Sequence, residues 1–461
     1  MTHLTLRELL EATAGEAVVC GSRAICAGLT TDSRAITPGC IFLALCGERF
    51  DGNRFAAEAS QKGAAAVVVS RLEEGDFAPE CSIVLVPDTL LALQALASWW
   101  RQRLEPLHVI GLTGSSGKTS TKDMCLAVLS RHFRTLATKG NLNNHIGVPL
   151  SILSTPQGTQ AAIWEMGMNH AGELAPLCGM TRPHIGIITT IGSAHMEYLG
   201  SREAIAREKC TVARALPPEG FMIYPAQDDF AATIAASTAA TPLPVGAEGC
   251  AVQALRPRPS LLGTEYTLSI AGLGEVDIHL PIPGAHMVSN SLLAAAAGWK
   301  LGCTLEEIAA GLSAASLTHG RLACRQAEAY TVVDDTYNAN PESMKAALQT
   351  VATLRGKGRS IAVLGRMGEL GPGGIQAHAE MGSCAAELGY AAVLVVGSPC
   401  AETEALRQAA AAGVPHTYST PTPEEAARLL RSIMQEGDVL LFKGSRSAGM
   451  ERVIHTLFPT L

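Results

Sequence analysis

The clearest candidate for chemistry is a glycine-rich loop followed by lysine and threonine. The segment reads Gly-Leu-Thr-Gly-Ser-Ser-Gly-Lys-Thr from Gly111 to Thr119. Backbone N–H groups of such a loop bind phosphate, and the start of the following helix adds its dipole. A lysine after the last glycine reaches the β- and γ-phosphates, and the next hydroxyl binds Mg²⁺. The segment therefore predicts an ATP site.

The sequence on either side of this loop favours phosphate binding over a simple turn. Five residues separate Gly111 from Gly117, one more than in the usual motif. An apolar run at 107–112 nevertheless predicts a buried strand before the loop, and 118–130 predicts a helix after it. We expect nucleotide contacts from Gly114, Ser115, Ser116, Gly117, Lys118, Thr119 and Ser120.

Two polar residues at predicted strand ends are candidates for a metal site. Glu165 closes the strand predicted at 161–165, and His195 follows the strand predicted at 185–191. The carboxyl ends of the strands in a doubly wound sheet line one crevice, so both residues could meet the phosphates there. Each alone is more often an ordinary polar residue at a strand end. The phosphate loop shares that edge of the sheet, which favours a functional role.

Two lysines lie in segments that suggest different environments. Lys209 lies in a stretch that suits a helix, and from its charge alone we expect a solvated lysine. Lys443 begins the sequence Lys-Gly-Ser-Arg after another predicted strand, which indicates an anion site.

A polar turn follows the first predicted strand of the third part of the chain. It reads Asp-Asp-Thr-Tyr-Asn-Ala-Asn-Pro-Glu-Ser over residues 334–343. Asp335 suits a ribose hydroxyl, and Asn338 or Asn340 suits a hydrogen bond to a ligand. Pro341 suits the first turn of a helix. Capping of that helix without any ligand is the alternative interpretation.

The elements that must position these residues fall into three regions, which predict an α/β protein of three domains. We place the domains at 1–105, 106–318 and 319–461. Strands alternate with helices, so the sheets should be mostly parallel and covered on both faces. The third region should be doubly wound, and the proline-rich stretch 242–259 is either a β-rich insertion or a loop. The predicted strands are 64–69, 83–86, 107–112, 161–165, 185–191, 220–224, 330–334, 360–364, 391–396 and 438–443, and the predicted helices are 90–103, 118–130 and 290–301.

Composition indicates a globular enzyme of the cytoplasm. The chain has 461 residues, which is too long for a single hydrophobic core. Its residues are 47% apolar and 17% charged, a composition that indicates a folded rather than a disordered chain. A net charge of −7 offers no basic surface for nucleic acid. Thirteen scattered cysteines without a C-x-x-C pair indicate reduced thiols. Arg7 and Glu8 exclude a signal peptide, and no apolar run is long enough for membrane insertion.

Segments along the whole chain resemble the Mur ligase family. The phosphate loop is shared by the family. The asparagine-rich segment after Lys139 and the segments that begin at Glu165 and Asp334 resemble members that add D-alanyl-D-alanine. The matching segments are TDSR at 31–34, PGCIFLALCGERFDG at 38–52, GLTGSSGKTSTK at 111–122, TKGNLNNHIGVPLS at 138–151, EMGMNHAGE at 165–173, IGSAHMEYLGS at 191–201, PGAHMVSN at 283–290, DDTYNANPES at 334–343 and KGSRSAGME at 443–451.

The resemblance implies both a fold and a reaction. The N-terminal domain would bind the UDP end of a substrate, the central domain would be a P-loop ATPase with a mostly parallel sheet, and the C-terminal domain would be Rossmann-like. ATP would phosphorylate the terminal carboxylate of UDP-N-acetylmuramoyl-tripeptide, and the amine of D-alanyl-D-alanine would attack the acyl phosphate. Mg²⁺ and lysine would offset the charge where two anions meet. We expect a monomer that acts in the cytoplasmic stage of peptidoglycan precursor synthesis.

The resemblance also implies roles for individual residues. Lys118, Lys209, His195 and Glu165 would be the catalytic groups, with Lys118 on the phosphates. Thr119 and Glu165 would hold one Mg²⁺, and His195 with a carbamylated Lys209 would hold a second. The adenine, phosphate and ribose would be held by Asn290, Arg321 and Asp335 respectively. The uridine diphosphate would be held by Ser33, Arg34, Gly47, Asp51 and Gly52, and the sugar-peptide would be faced by Asn143 and Asn144.

Three residues depart from the family pattern, and two alternative functions stay open. Thr211 and Arg366 stand where acidic residues are usual, and Asn53 replaces a common histidine. One alternative is another Mur ligase or a folylpolyglutamate synthase. The Mur ligase that adds the third residue of the peptide has a characteristic Asp-Asn-Pro-Arg segment, which is absent here. The other is a P-loop switch, whose Walker B strand would end in Asp, whereas the corresponding strand here ends in Glu165. ATP turnover with and without an amine acceptor distinguishes them.

Overall fold

Strands and helices alternate over much of the computed structural model, which describes residues 4–48, 50–356 and 358–460. Arg49, in the turn that the resemblance assigns to the uridine diphosphate, lies outside the described residues. The helices are α1 Leu6–Thr13, α2 Ala56–Gln61, α3 Thr89–Gln102, α4 Lys118–Leu129, α5 Gly147–Leu153, α6 Leu174–Thr181, α7 Met196–Leu199, α8 Arg202–Arg214, α9 Ala231–Ala236, α10 Ala285–Lys300, α11 Leu305–Ser313, α12 Pro341–Leu354, α13 Gly374–Glu387, α14 Ala401–Ala411, α15 Pro423–Ile433 and α16 Glu451–Leu457.

The strands are short, and several inside the larger sheets are fully buried, as expected of sheets covered by helices. They are β1 Glu16–Val19, β2 Leu29–Thr30, β3 Ile41–Leu43, β4 Cys46–Gly47, β5 Phe50–Asp51, β6 Ala66–Val69, β7 Ser82–Leu85, β8 His108–Thr113, β9 Thr135–Ala137, β10 Ala161–Glu165, β11 Ile185–Ile188, β12 Phe221–Pro225, β13 Thr241–Val245, β14 Val252–Ser260, β15 Gly263–Ile270, β16 Gly274–Leu280, β17 Ala323–Ala327, β18 Tyr330–Asp335, β19 Ser360–Gly365, β20 Ala392–Val396, β21 His416–Thr420 and β22 Val439–Lys443.

The chain divides into two compact units. Unit 1 contains Met1–Gly111, Phe133–Met168 and Glu173–His184. Unit 2 contains Leu112–His132, Asn169–Gly172 and Ile185–Leu461. In the part of the chain that the structure describes, no helix is both long enough and apolar enough to cross a bilayer.

Unit 1 begins with a five-stranded sheet in the order β1-β7-β6-β3-β2. The strands β2, β3, β6 and β7 run parallel, and β1 is antiparallel to β7. All four residues of β6 are buried, and α2 packs on this sheet through a core that includes Ala59 and Val67. Asp88 starts α3 by accepting a hydrogen bond from the backbone N–H of Leu91 at 2.9 Å. These elements confirm the strands and the helix expected in this region.

Strand β8 crosses from unit 1 into unit 2, and each unit contains part of its sheet. In unit 1 the order is β8-β10-β9, and β10 runs parallel to β9. In unit 2 the order is β13-β12-β11-β8, and β11, β12 and β13 run parallel. The parallel strands confirm the mostly parallel sheet expected around the phosphate loop.

Two further sheets complete unit 2. Strands β14, β15 and β16 form an antiparallel sheet, so the proline-rich stretch is β-rich rather than a loop. The last sheet has the order β17-β18-β22-β19-β20-β21 and is parallel except at β17. Helices α15 and α16 pack on it through a core that includes Leu430, Phe442 and Ile454. This arrangement confirms the Rossmann-like third region.

Candidate active site

The phosphate loop joins β8 to α4 and has room for no side chain at two of its glycines. The φ angles of Gly114 and Gly117 are 155° and 81°, which residues with a side chain rarely adopt. A Cβ atom at Gly114 would lie 1.9 Å from Thr189 Oγ1, and one at Gly117 would lie 2.7 Å from Asn290 Oδ1. The close approach of Thr189 and Asn290 therefore requires glycine at both positions.

The loop is fixed by the segment that follows β11. The N–H of Ser115 donates to the Thr190 carbonyl at 2.8 Å, and the N–H of Gly192 donates to Ser115 Oγ at 2.9 Å. The Thr189 hydroxyl donates to the Ser116 carbonyl. The Lys118 ammonium donates to the Gly114 carbonyl at 2.7 Å, so its charge lies directly over the loop. This is where a lysine must be to reach phosphate oxygens.

Arg321 brings a second cation to the start of α4. Its Nη2 donates to Thr119 Oγ1 at 3.2 Å, and its guanidinium lies 4.0 Å from the ring centroid of Tyr337. Its Nε is buried and has no hydrogen-bond partner among the described residues. A buried donor of this kind is normally satisfied by water or a ligand. Arg321 therefore has a donor available for an anion beside Thr119.

Ser193 and Glu342 hold two more buried polar atoms near the loop. The N–H of Ser193 donates to Glu342 Oε1 at 2.7 Å, and a Cβ at Gly192 would lie 2.6 Å from the carboxyl carbon of Glu342. Ser193 Oγ and Glu342 Oε2 lack a hydrogen-bond partner within the described part of the chain. Glu342 is a contact that the sequence reasoning missed, since nothing in the spacing relates residues 149 positions apart.

His195 faces a carboxylate that the sequence did not predict. Its Nδ1 lies 2.6 Å from Glu369 Oε2, and this hydrogen bond, opposed by burial, lowers the pKa of Glu369. His195 has a φ of 65°, and strained backbone of this kind is common at functional sites. The charge of Lys118 also lowers the pKa of Glu369. His195, Glu369 and Lys118 therefore share one electrostatic environment.

Lys209 is buried, so the expectation of a solvated lysine is wrong. It lies in α8 with 1% of its surface exposed. Burial is the main cause that lowers the pKa of Lys209 well below its usual value, and the charge of Lys118 lowers it further, whereas Glu208 opposes the change. A lysine in this environment favours the neutral amine, which is the nucleophilic form.

Glu165 ends β10 in unit 1 and is held by two hydrogen bonds. Its N–H donates to Thr138 Oγ1 at 3.0 Å, and the side-chain N–H of Asn143 donates to Glu165 Oε1 at 2.8 Å. Glu165 is 2% exposed. Asn144 has a different role, because its Oδ1 accepts from Ile146 N–H at 3.1 Å and from Gly147 N–H at 2.8 Å in the turn before α5. Asn143 therefore orients the carboxylate, a role that the sequence reasoning did not assign to it.

Asp335 and Lys443 form a buried ion pair in unit 2. The Lys443 ammonium donates to Asp335 Oδ2 at 2.5 Å and to the Asn338 carbonyl at 2.9 Å. The other carboxylate oxygen of Asp335 accepts from the Leu322 N–H at 3.1 Å. Burial lowers the pKa of Lys443, and the charge of Asp335 opposes this effect. The two residues thus join the ends of neighbouring strands β18 and β22 next to the polar turn.

The residues expected to hold the uridine diphosphate lie in unit 1. Arg34 pairs with Asp32 at 2.8 Å in an exposed position. Asp51 accepts hydrogen bonds from Asn53 N–H at 3.1 Å and from Cys46 Sγ at 3.3 Å, and it also pairs with Arg71.

Glycine is needed at one of the two expected turn positions in this part of unit 1. A Cβ at Gly52 would lie 2.6 Å from the Leu45 carbonyl oxygen. A Cβ at Gly47 would have no neighbouring atom within 4 Å. Asn53, which replaces a common histidine, is 1% exposed and donates to Ser70 Oγ at 3.1 Å. It therefore stabilises the turn from inside.

Comparisons with known proteins agree with this arrangement. Three family models match the chain: the Mur ligase family catalytic domain over residues 26–100, the Mur ligase middle domain over 112–298, and the Mur ligase glutamate ligase domain over 320–446. The UDP-N-acetylmuramoyl-tripeptide–D-alanyl-D-alanine ligase of Escherichia coli strain K12 is 38% identical over 461 residues, and the alignment covers 99% of each chain.

Solved structures with the same fold are also similar to this chain. MurF from Acinetobacter baumannii has a TM-score of 0.90 and 36% identity, with 99% of each chain covered. MurF from Thermotoga maritima, solved in complex with ADP, has a TM-score of 0.83 and 27% identity, with 95% of this chain and 97% of that chain covered.

Proposed function

The chain belongs to the Mur ligase family, and we propose that it adds D-alanyl-D-alanine to UDP-N-acetylmuramoyl-tripeptide in an ATP-dependent, ADP-forming reaction. The observation that carries this proposal is the full-length similarity to a ligase named for that reaction. The phosphate loop with its two obligatory glycines supports the use of ATP. The product would be a peptidoglycan precursor, which places the enzyme in cell-wall synthesis in the cytoplasm.

Each of the three sequence regions would have its own role in the reaction. We propose that residues 1–105 bind the UDP end of the substrate, that 106–318 bind ATP, and that 319–461 complete the ligase site. Small molecules would be its partners, and it would act as a monomer.

The nucleotide would be held by residues of unit 2. Backbone N–H groups of the loop and the Lys118 ammonium suit the phosphates, and the unpartnered Nε of Arg321 suits a phosphate oxygen. Asn290 would contact the adenine and Asp335 the ribose. The remaining loop residues proposed to contact the nucleotide are Gly114, Ser115, Ser116, Gly117, Thr119 and Ser120.

Three of the four proposed ligands fit Mg²⁺, because hydroxyl, carboxylate and carbamate oxygens are the hard ligands this ion prefers, and His195 would add an imidazole nitrogen. We propose Thr119 and Glu165 for one ion, and His195 with a carbamylated Lys209 for a second. When bound, ATP and Mg²⁺ supply the phosphoryl group and the positive charge that turn a carboxylate into an acyl phosphate. Lys118 and Arg321 would stabilise the negative charge that develops during this transfer. Asn143 would keep the Glu165 carboxylate in one orientation.

The substrate would be recognised mainly from unit 1. We propose that Ser33, Arg34, Gly47, Asp51 and Gly52 bind the uridine diphosphate, and that Asn143 and Asn144 face the sugar-peptide. The hydrogen bonds that Asp51 Oδ1 accepts from Asn53 N–H and from Asn53 Nδ2 support this assignment, since they fix the start of the helical turn Gly52–Phe55.

Mass spectrometry of the reaction mixture tests the proposal. The protein is mixed with ATP, Mg²⁺, UDP-N-acetylmuramoyl-tripeptide and D-alanyl-D-alanine, and the expected product is the UDP-linked pentapeptide together with ADP. Omission of the dipeptide should leave ATP almost unconsumed. ATP hydrolysis that proceeds equally well without the dipeptide would favour a P-loop switch. Product formed only with a single amino acid or a folate acceptor would favour another ligase.

A further inference from the structure

Three side chains of different chemical type meet at the end of α4 that lies away from the phosphate loop. His132 follows α4, Cys303 lies between α10 and α11, and Glu307 lies in the first turn of α11. One ligand atom from each lies within 4.8 Å of the other two. The 12 residues of α4 separate this cluster from Lys118 by about 18 Å. The cluster is therefore distinct from the nucleotide site.

The cluster is open to solvent on one side and closed on the other. Nδ1 of His132 lies 3.1 Å and 3.0 Å from the two carboxylate oxygens of Glu307. The side chains of His132 and Glu307 are 39% and 29% exposed, whereas Cys303 is 2% exposed. The thiol thus forms the floor of a shallow site whose rim is an imidazole and a carboxylate. A cation could enter from the surface and reach all three groups.

We propose that His132, Cys303 and Glu307 bind a Zn²⁺ ion, at a site that the ligase activity does not use. Thiolate sulfur, imidazole nitrogen and carboxylate oxygen are the three kinds of zinc ligand in proteins, and water can complete a tetrahedron. Mg²⁺ is a hard ion that disfavours thiolate sulfur, so a site that contains Cys303 selects against the ion of the nucleotide site.

Charge and proton balance agree with a divalent cation at this position. On binding, Zn²⁺ replaces the proton of the Cys303 thiol, which leaves to solvent, and His132 binds through Nδ1 as a neutral imidazole with its proton on Nε2. One thiolate and one carboxylate then neutralise the two charges of the ion. The result is a neutral, partly buried centre.

The protein scaffold already holds these ligands close together. Thr304 N–H donates to Glu307 Oε2 at 2.8 Å, and Glu307 N–H donates to Thr304 Oγ1 at 3.2 Å, which fixes the first turn of α11. A Cβ at Gly311 would lie 2.5 Å from Val128 Cα, so α11 packs directly on the backbone of α4. Because the backbone is already in place, a metal has little ordering of the chain to impose. It would tie the end of the nucleotide-binding helix to α11.

Cobalt absorption and zinc calorimetry on the full-length protein test the proposal. After chelator treatment, Co²⁺ should produce a thiolate-to-metal absorption band, and Zn²⁺ should displace it. Cys303→Ser should abolish the band, and His132→Gln should weaken Zn²⁺ binding at least about tenfold. Glu307→Gln should also weaken binding while it keeps an oxygen to cap α11. Excess Mg²⁺ should leave the band unchanged.

Matched controls separate this site from other thiols and from the nucleotide site. Cys250, a half-buried thiol elsewhere in unit 2, provides the control: Cys250→Ser should keep the full band. Circular dichroism in chelator shows whether Cys303→Ser folds, and the exposed His132→Gln gives an independent answer if it does not. Absence of a band in the unaltered protein, or a band that survives both Cys303→Ser and His132→Gln, would overturn the proposal.

Discussion

Asn340 and Ser116 are hydrogen bonded to each other although 224 residues separate them in the chain. The Asn340 Nδ2 donates to Ser116 Oγ at 2.9 Å and to the Ser115 carbonyl at 3.3 Å. Its Oδ1 accepts from Ser343 N–H at 2.9 Å and so caps α12. One side chain therefore holds the phosphate loop and starts a helix of the third region, both within unit 2.

Substitution of Asn340 should separate these two roles. Asn340→Asp keeps the capping oxygen, so the free energy of unfolding should stay close to that of the unaltered protein. It loses both N–H donors to the loop and adds a negative charge near the phosphates, so the KM for ATP should rise. Asn340→Ala should lose the cap as well and cost about 0.5–2 kcal/mol of stability. Urea unfolding and steady-state kinetics measure the two effects, and equal stability losses in both variants would contradict the assignment.

Lys118→Ala should remove ATP turnover and leave the fold intact. Its ammonium donates to the Gly114 carbonyl of the loop, and its proposed role is to hold the phosphates rather than to make a core contact. Loss of one such stabilising group costs about 100- to 1000-fold in turnover. Coupled ADP release and a thermal melt are the measurements. Lys345→Ala, at an exposed position of α12, is the control and should retain normal turnover. Near-normal turnover in Lys118→Ala would exclude the loop as the phosphate site.

Carbamylation of Lys209 gives a prediction with a chemical rescue. A buried neutral amine can add CO₂ and release a proton to solvent, which gives an anionic carbamate with oxygen ligands for Mg²⁺. Lys209→Ala should therefore lose most activity, and acetate or formate should restore part of it by supplying a carboxylate in the vacated space. The same salts should not rescue Lys118→Ala. Full activity in Lys209→Ala would rule out the carbamate, and a loss without rescue would argue for a purely structural lysine.

His286 should make the stability of the protein depend on pH in the acidic range. Burial lowers the pKa of His286 from 6.5 to about 4, with smaller and opposing contributions from Asp335 and Lys443. The unfolded chain therefore takes up a proton at higher pH than the folded protein, and stability is lost as pH falls from 6.5 towards 4. In His286→Asn this part of the loss should vanish. Urea midpoints across that range measure it, and parallel curves for the two proteins would refute the assignment.

Periodicity predicted most of the sheets because their strands are short apolar runs. Strand β10 has the predicted bounds at 161–165. Strand β11 ends at Ile188, before the predicted position 191, because Thr189 turns to bond the phosphate loop. Helix α10 begins at Ala285, before the predicted position 290. No side chain caps its first turn, so the sequence contains no capping residue that would indicate where the helix begins. Pro242 and Pro244 obscured β13, which tolerates them as an edge strand.

The candidate site could be predicted where its functional residues are adjacent in one segment of the chain. The phosphate loop is such a segment, since glycines, lysine and hydroxyl groups adjoin in the chain. The partners of His195 and Ser193 could not be predicted, because Glu369 and Glu342 approach them only through tertiary folding. The burial of Lys209 was missed because α8 also presents charged residues, so its helical pattern does not separate a buried lysine from a solvated one. Whether the proposed residues act together stays a prediction.

Gly114 and Gly117 restrict how this protein could evolve resistance to an inhibitor. Any residue with a Cβ atom at Gly114 would overlap Thr189 Oγ1, and at Gly117 it would press on Asn290. A compound anchored on the backbone N–H groups of this turn would therefore bind atoms that substitution at these positions cannot remove without distorting the turn. Compounds anchored on Arg34, whose side chain is 87% exposed, would meet no such barrier to escape.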